Sequence, residues 1–438
     1  MRILLTGASG FVGARLLRAL LDDGHHLVCA VRTPRASGEP RLRYVQADFS
    51  SDTGKAVWLG RLQGIDAVIN TVGIFRESGR QTFAAIHTEA PRALFAACAE
   101  SDSVQLVIQL SALGADDAAT TPYHLSKKAA DDYLATLPVA SFIVQPSLIY
   151  GRGGASARFF KMLATLPLGV RFGSAPQRVQ PVHVDDVVAA LCALVRRVPA
   201  AETAPRARPD SYARIVRLAG PEVVSFTDYL RTLRRALGLG KLWVLPLPDF
   251  LTRSAAGMAQ LVPGSLLDPD ALSMLNRDNV ADPALTARLL GHAPRAIGSF
   301  VTDPAAERVQ AQMDWLLPVL RWSIALVWIA TATVSAGLYP VADSYELLAR
   351  TGIPQELRPL MLYGASALDL CFGLGILLLK RRRWLWLAQL LLIGFYTVVI
   401  ALRLPEFLVH PYGPLTKNLP MLAAIWLLYQ VERNPKET

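Results

Sequence analysis

The stretch SALGADDAATTPYHLSKKAADDYL holds a serine, Ser111, followed twelve residues later by a tyrosine and lysine four positions apart, Tyr123 and Lys127. On an α-helix positions i and i+4 share a face, so the ammonium of Lys127 can stand beside the phenol of Tyr123. A phenol titrates near ~10 in water and a neighbouring cation favours its phenolate, which makes Tyr123 a usable acid/base at neutral pH. Ser111, at the end of an apolar run, is placed to hydrogen-bond the oxygen that reacts. The chemistry these three side chains suit is proton transfer at an oxygen.

A second constellation opens the chain. TGASGFVG spaces Gly7, Gly10 and Gly13 across a strand-to-helix turn, where glycine permits the tight turn and lets backbone N–H groups approach a pyrophosphate. Gly7, Ser9, Gly10, Phe11, Val12 and Gly13 are therefore the expected dinucleotide contacts. The second apolar run ends in AVRTPR. An acid at that point suits the ribose hydroxyls of NAD, whereas an arginine suits a 2′-phosphate, so Arg32, helped by Arg35, favours NADP(H) with NAD(H) as the alternative. Strand-end arginines also occur as bare surface charges. Asp48, after YVQA, reads equally as a partner for the adenine amino group or as a loop cap. His183, Asp185 and Asp186 in HVDDVVAAL could suggest a metal, but the aspartates stand where an N-cap and a first-turn acid belong. With no H-E-x-x-H pair anywhere, no metal is expected.

The elements that must position these residues alternate. Apolar runs at 2–8, 26–32, 43–48, 66–73, 104–112 and 140–147 are separated by helical patterns, which implies a doubly wound parallel sheet. Residues 1–310 form one expected domain, with the less regular 151–310 as its substrate-facing part, including a Pro/Ala/Arg-rich surface loop at 196–211. Residues 311–438 differ in kind. Segments near 316–338, 360–379 and 384–402 are each long and apolar enough to cross a bilayer, and a fourth, at 414–431, carries Lys417 and Asn418 near its start. Asp369 lies inside the second, as a substrate contact or as a hydrogen-bonded packing residue. The net charge of +10 is scattered or flanks apolar runs, and no nucleic-acid signature accompanies it. Four cysteines without a CxxC pair argue against disulfides and structural zinc, and the N-terminus lacks the marks of a signal peptide.

Through TGASGFVG, NTVG (70–73), Ser111, YHLSK and QPSLIYG (145–151), the first domain resembles atypical and extended short-chain dehydrogenase/reductases. RVQPVHVDDVVAAL (178–191) and RDNVAD (277–282) make it similar to the group around the nucleotide-binding accessory subunit of respiratory complex I. That resemblance implies a Rossmann-type fold, with Thr71, Val72 and Gly73 lining the cofactor and Pro146, Ser147 and Leu148 near the nicotinamide. The family often has Asn at the position of His87 and Arg at that of Gln145. LYPVADSYELLARTGIP (338–354) and HPYGPLTKNLP (410–420) resemble DoxX-like domains, which implies an all-α four-helix transmembrane domain. The expected function is NAD(P)H-dependent oxidoreduction of an alcohol/carbonyl, quinone or lipid-like substrate. The alternatives are a structural or assembly module for a membrane-protein partner and a sugar-nucleotide epimerase or dehydratase. The expected location is a bacterial inner membrane, with the nucleotide domain and both termini in the cytoplasm. Basic loops stay on that side: Arg321, Lys380 to Arg383, Arg433 and Lys436 make seven basic residues inside, against Arg350, Arg358, Arg403 and Lys417, four outside.

Overall fold

The computed structural model describes residues 1–172, 177–197, 213–247 and 269–432; much of the loop expected at 196–211, and Arg433 and Lys436, lie outside them. The chain divides into two compact units, Met1–Ala311 and Gln312–Thr438. In the first, the apolar runs become strands β1 (Arg2–Thr6), β2 (His26–Val31), β3 (Leu42–Gln46), β4 (Ala67–Asn70), β5 (Leu106–Leu110) and β6 (Ser141–Pro146), joined by β7 (Ala213–Leu218). The order across the sheet is β7-β6-β5-β4-β1-β2-β3 and every pair is parallel. The sequence did not mark β7. It is an edge strand with Ile215 exposed beside buried Val216, so it lacks the continuous apolar run of an inner strand.

Helices cover both faces, which is why Ile3, Leu4, Leu5, Val68 and Ile69 can all be fully buried. On one face, α1 (Gly13–Asp22) packs Leu16 and Leu20 with Val187 and Leu191 of a helix at Val184–Arg196. The other face takes α2 (Lys55–Leu59), α3 (Ala90–Glu100) and α4 (Pro122–Ala135), through Trp58, Leu94, Phe95, Ala130 and Leu134. Next, α5 (Ala155–Thr165), α6 (that same Val184–Arg196) and α7 (Phe226–Ala236) follow, and α5 and α7 share a third core with Ile297 and Phe300. The order of connection reverses between β1 and β4. In open α/β sheets, ligands bind at such a point, outside the carboxyl ends of the strands.

The second unit is helical. Pro304–Leu338, Gln355–Leu378 and Arg383–Arg403 are long and apolar enough to cross a membrane. The fourth expected span is shorter than the sequence suggested. The chain turns at Pro414–Lys417 and the helix runs only from Asn418 to Val431, 14 residues. At 1.5 Å per residue that is about 21 Å, less than a hydrocarbon core. It nevertheless returns to the level where its neighbour starts. Asn418 Nδ2 donates to Thr397 Oγ1 at 2.9 Å, and at the other end Trp386 Nε1 donates to Glu432 at 2.8 Å. Arg321 pairs with Glu432 at 2.7 Å and Arg382 at 3.8 Å, so these three charges share one end of the bundle. Arg350 pairs with Glu406 in the two loops expected outside. In the interior, Trp328 Nε1 donates to the fully buried Gln389 at 2.9 Å. Asp369 is buried with Oδ1 lacking a hydrogen-bond partner, so the simple packing role is incomplete.

Candidate functional site

The glycine turn forms at the carboxyl end of β1. Gly7 has φ of +75°, the left-handed region that favours glycine, and its carbonyl accepts from Gly10 N at 2.8 Å. A Cβ at Gly13 would stand 2.1 Å from the Gly7 oxygen and 2.7 Å from Thr71 Oγ1, so glycine is what lets α1 start this close to β1 and the loop after β4. Gly10 differs: a Cβ there would meet only the Gly7 oxygen, at 3.1 Å, and otherwise open space. Ser9 and Gly10 are exposed, and the amides of Phe11 and Val12 have no acceptor among the described residues. An exposed, side-chain-free turn with spare amides at a helix N-terminus fits the pyrophosphate of a dinucleotide.

The loop after β4 is held by a buried polar ladder. Thr6 Oγ1 donates to Asn70 Oδ1 at 2.5 Å, and Asn70 Nδ2 donates to Gln109 Oε1 at 2.7 Å. Thr71 Oγ1 donates to the Thr6 carbonyl at 2.7 Å, and Val72 N to Asn70 Oδ1 at 3.2 Å. Lys127 reaches this loop from α4, its ammonium donating to the carbonyls of Val72 at 3.2 Å and Leu110 at 3.1 Å. Gly73 leaves room for it, since a Cβ there would lie 3.1 Å from Lys127 Nζ. His87 closes the loop from below. Its Nε2 accepts from Ile74 N at 2.9 Å, which leaves the proton on Nδ1, 3.0 Å from Ser126 Oγ. Burial, and then the Lys127 charge, hold that imidazole neutral far below its ordinary range.

Thr121 caps α4, accepting from His124 N, and Pro122 fills the first turn, so Tyr123 enters at the helix's beginning. Its ring lies among Phe75, Phe83, His87 and His124, with centroids 5.3 to 6.2 Å away. Phe75, Phe83, Tyr123, Asp270 and Met274 line one cleft. The phenol moves opposite to the expectation of a lowered value. Burial, reinforced by the Asp131 charge, pushes it up to about 12. The Lys127 ammonium is instead committed to two backbone carbonyls.

Ser111 is buried and donates its hydroxyl hydrogen to the carboxyl of Asp131. Asp131 was missed by the sequence reading. The signal was there: Tyr123, Lys127 and Asp131 follow one another at i, i+4 and i+8 on one helix face.

The remaining expected residues have defined places. Ser147 Oγ donates to the Gln180 carbonyl at 2.5 Å and Leu148 N to Asn279 Oδ1 at 2.9 Å, while the Pro146 carbonyl accepts from Leu113 N. RVQPVHVDD and RDNVAD thus clamp the end of β6. Arg277 also donates to the Gly114 carbonyl at 3.0 Å and pairs with Asp116. Arg32 is exposed. Asp48 caps a turn, its Oδ1 accepting from the amide of Ser50 at 2.9 Å and the hydroxyl at 2.7 Å; these bonds, with Arg32 nearby, hold the carboxyl low. The cap of α6 is His183, which accepts from Asp185 N, so both aspartates fall in the first turn rather than one of them capping it. Asp186 is buried and pairs with Arg295 at 2.6 Å.

Residues 3–205 match the NAD dependent epimerase/dehydratase family and residues 325–426 the DoxX-like family. The chain joins an epimerase-family NAD-binding domain to a DoxX-like domain. To a ceramide reductase of Caulobacter vibrioides it is 28% identical over 287 residues, covering 60% of this chain and 89% of that protein. To an epimerase family protein of Staphylococcus saprophyticus it is 25% identical over 210 residues, covering 43% and 68%. A nucleoside-diphosphate-sugar epimerase from Staphylococcus aureus superposes with a TM-score of 0.54 at 16% identity, covering 69% of this chain and 100% of that one. A UDP-glucuronic acid 4-epimerase from Bacillus cereus, solved with NAD, gives 0.50 at 17%, covering 72% and 100%. At these identities the solved structures establish the epimerase-family fold. The DoxX-like domain and its three long apolar helices make this a membrane protein.

Proposed function

We propose that the protein is a membrane-anchored, NADPH-dependent reductase that converts a carbonyl to an alcohol on a lipid-like substrate. The observation that carries this is Tyr123. Its phenol lines an aromatic cleft with Phe75, two residues beyond the cofactor loop; a phenol is protonated at neutral pH in any case, and burial moves it further in that direction. A protonated phenol is the acid that carbonyl reduction needs. The likeness to a ceramide reductase supports a lipid-like substrate, and Phe75, Phe83 and Met274 would hold apolar chain in the cleft. The dinucleotide, held by the glycine turn and the 71–73 loop, supplies hydride when bound. Tyr123 gives its proton to the carbonyl oxygen, and Lys127, tied to Val72 and Leu110, orients the cofactor loop and repays the phenolate's charge. Arg32 supports a preference for the 2′-phosphate of NADPH. The basic loops support an orientation with the nucleotide domain in the cytoplasm of a bacterial cell.

One observation favours a second reading, a nucleotide-binding module without turnover: the Ser111 hydroxyl is already committed to Asp131. The test is NADPH consumption by the full chain in detergent with ceramide-type and long-chain ketone substrates. Tyr123→Phe keeps the ring and should reduce turnover by about 10²–10⁴-fold with nucleotide affinity unchanged. Equal turnover in the variant would remove the reductase reading.

A further inference from the structure

Ser111 has one hydroxyl hydrogen, and Asp131 holds it. A substrate carbonyl offers only lone pairs, so a serine that has given its hydrogen away cannot polarise one. An alcohol does have a hydrogen to give, and the free lone pairs of Ser111 can accept it. The protonation of Asp131 reverses this. A neutral carboxyl has an O–H of its own to donate to Ser111 Oγ, which releases the serine hydrogen toward the substrate.

The surroundings of Asp131 suit a group that exists in both forms. It is 4% exposed, and its second oxygen, Oδ1, has no hydrogen-bond partner. An ionised carboxylate with an unmatched oxygen is costly in such a place. The groups facing it are few. From α4 come Lys127 one turn back, the Tyr123 phenol and the neighbouring Asp132; from the loop after β5, Ser111; from β6, the Gln145 amide, which donates to the Ala115 carbonyl at 3.1 Å. The cation spends two of its three hydrogens on Val72 and Leu110, and among the described residues it makes no direct ion pair with Asp131. Burial, with the Asp132 charge behind it, raises the carboxyl well above its usual range, against the pull of the Ser111 hydroxyl, the Lys127 charge and the Gln145 side-chain amide.

We propose that Asp131 is a proton-controlled positioning residue: when neutral it turns the Ser111 hydroxyl into a donor for a substrate carbonyl, and when ionised it leaves Ser111 an acceptor for a substrate alcohol. This rests on the reductase reading above. The consequence is linkage: carbonyl ligands bind with uptake of a proton on Asp131 and alcohol ligands do not, so carbonyl affinity falls as pH rises and alcohol affinity does not. Because the equilibrium of the reaction is fixed, the effect belongs in ligand binding rather than in a preference for one direction of turnover.

Two measurements on the full-length protein in detergent test it. In the first, non-reacting ternary complexes are titrated across neutral pH, 2-tridecanone with NADP⁺ and 2-tridecanol with NADPH. The ketone should weaken about fivefold as pH rises through the Asp131 transition, the worth of one net hydrogen bond, while the alcohol does not weaken. Asp131→Asn, whose amide can donate permanently to Ser111, should keep ketone affinity and lose the pH dependence. A merely structural role would leave that pH profile in place, and a ketone profile that is flat in the unmodified protein overturns the proposal. The second measurement needs no substrate. A pH-difference infrared spectrum should show a protonated-carboxyl C=O band that titrates near neutral pH, disappears in Asp131→Asn and shifts in Ser111→Ala. Absence of that band above pH ~5, the range of an ordinary carboxylate, overturns the proposal. If the band is present but neither probe binds, the proton on Asp131 stands and the reductase reading falls.

Discussion

Two glycines of one turn should fail in different ways when each gains a methyl group. At Gly13 the added Cβ would lie 2.1 Å from the Gly7 oxygen and 2.7 Å from both the Gly7 carbon and Thr71 Oγ1. Backbone cannot yield there without α1 backing away by about 1 Å from β1 and the 71–73 loop. Overpacking of this kind costs about 1–3 kcal/mol, so Gly13→Ala should lower the melting temperature by roughly 2–10 °C and weaken nucleotide binding with it. At Gly10 the methyl meets a single atom at 3.1 Å and is otherwise exposed, so the fold should be untouched. The space it fills is where phosphate oxygens must approach the amides of Phe11 and Val12. Losing one charge-assisted hydrogen bond of about 1.5–3 kcal/mol raises Kd roughly 10- to 150-fold. The assay is NADPH titration by calorimetry alongside a thermal melt of the same full-length sample in detergent. Gly10→Ala with unchanged melting and unchanged affinity would show that the pyrophosphate does not lie on this turn.

Other consequences are open to direct measurement. Arg32→Ala should erase most of the preference for NADPH over NADH, and equal affinities for the two in the unmodified protein would contradict the role given to Arg32. His87 stays neutral in the folded state while an unfolded histidine protonates below pH ~6.5, so the unfolded chain binds more protons there and stability is lost as pH falls. Melting curves between pH ~6.5 and ~5 should therefore fall less steeply in His87→Asn, by up to about 1.4 kcal/mol per pH unit; parallel curves would refute this. For topology, single cysteines at the exposed positions Arg381 and Val409, in a background without the native cysteines, should differ on intact cells. An impermeant thiol reagent should label position 409 and spare 381, and the reverse pattern would invert the orientation.

Much of this architecture was legible because it is local. The glycine turn follows from the steric demands at Gly7 and Gly13, the strands from uninterrupted apolar runs, and the shared face of Tyr123 and Lys127 from the helical repeat. Spans at 355–378 and 383–403 follow from length and hydropathy alone. What the sequence could not state is who meets whom across the fold and how dry the meeting place is. Asn279 reaches Leu148, and Arg277 reaches Asp116, over 131 and 161 residues of chain. Asp131 takes the hydrogen of Ser111 across 20 residues. The Tyr123 phenol rises instead of falling because of desolvation, a sum over every neighbour that the fold gathers, with the Asp131 charge acting the same way. Periodicity fixes which side chains share a face; only the packed sheet and helices decide what that face touches, and so which proton it holds.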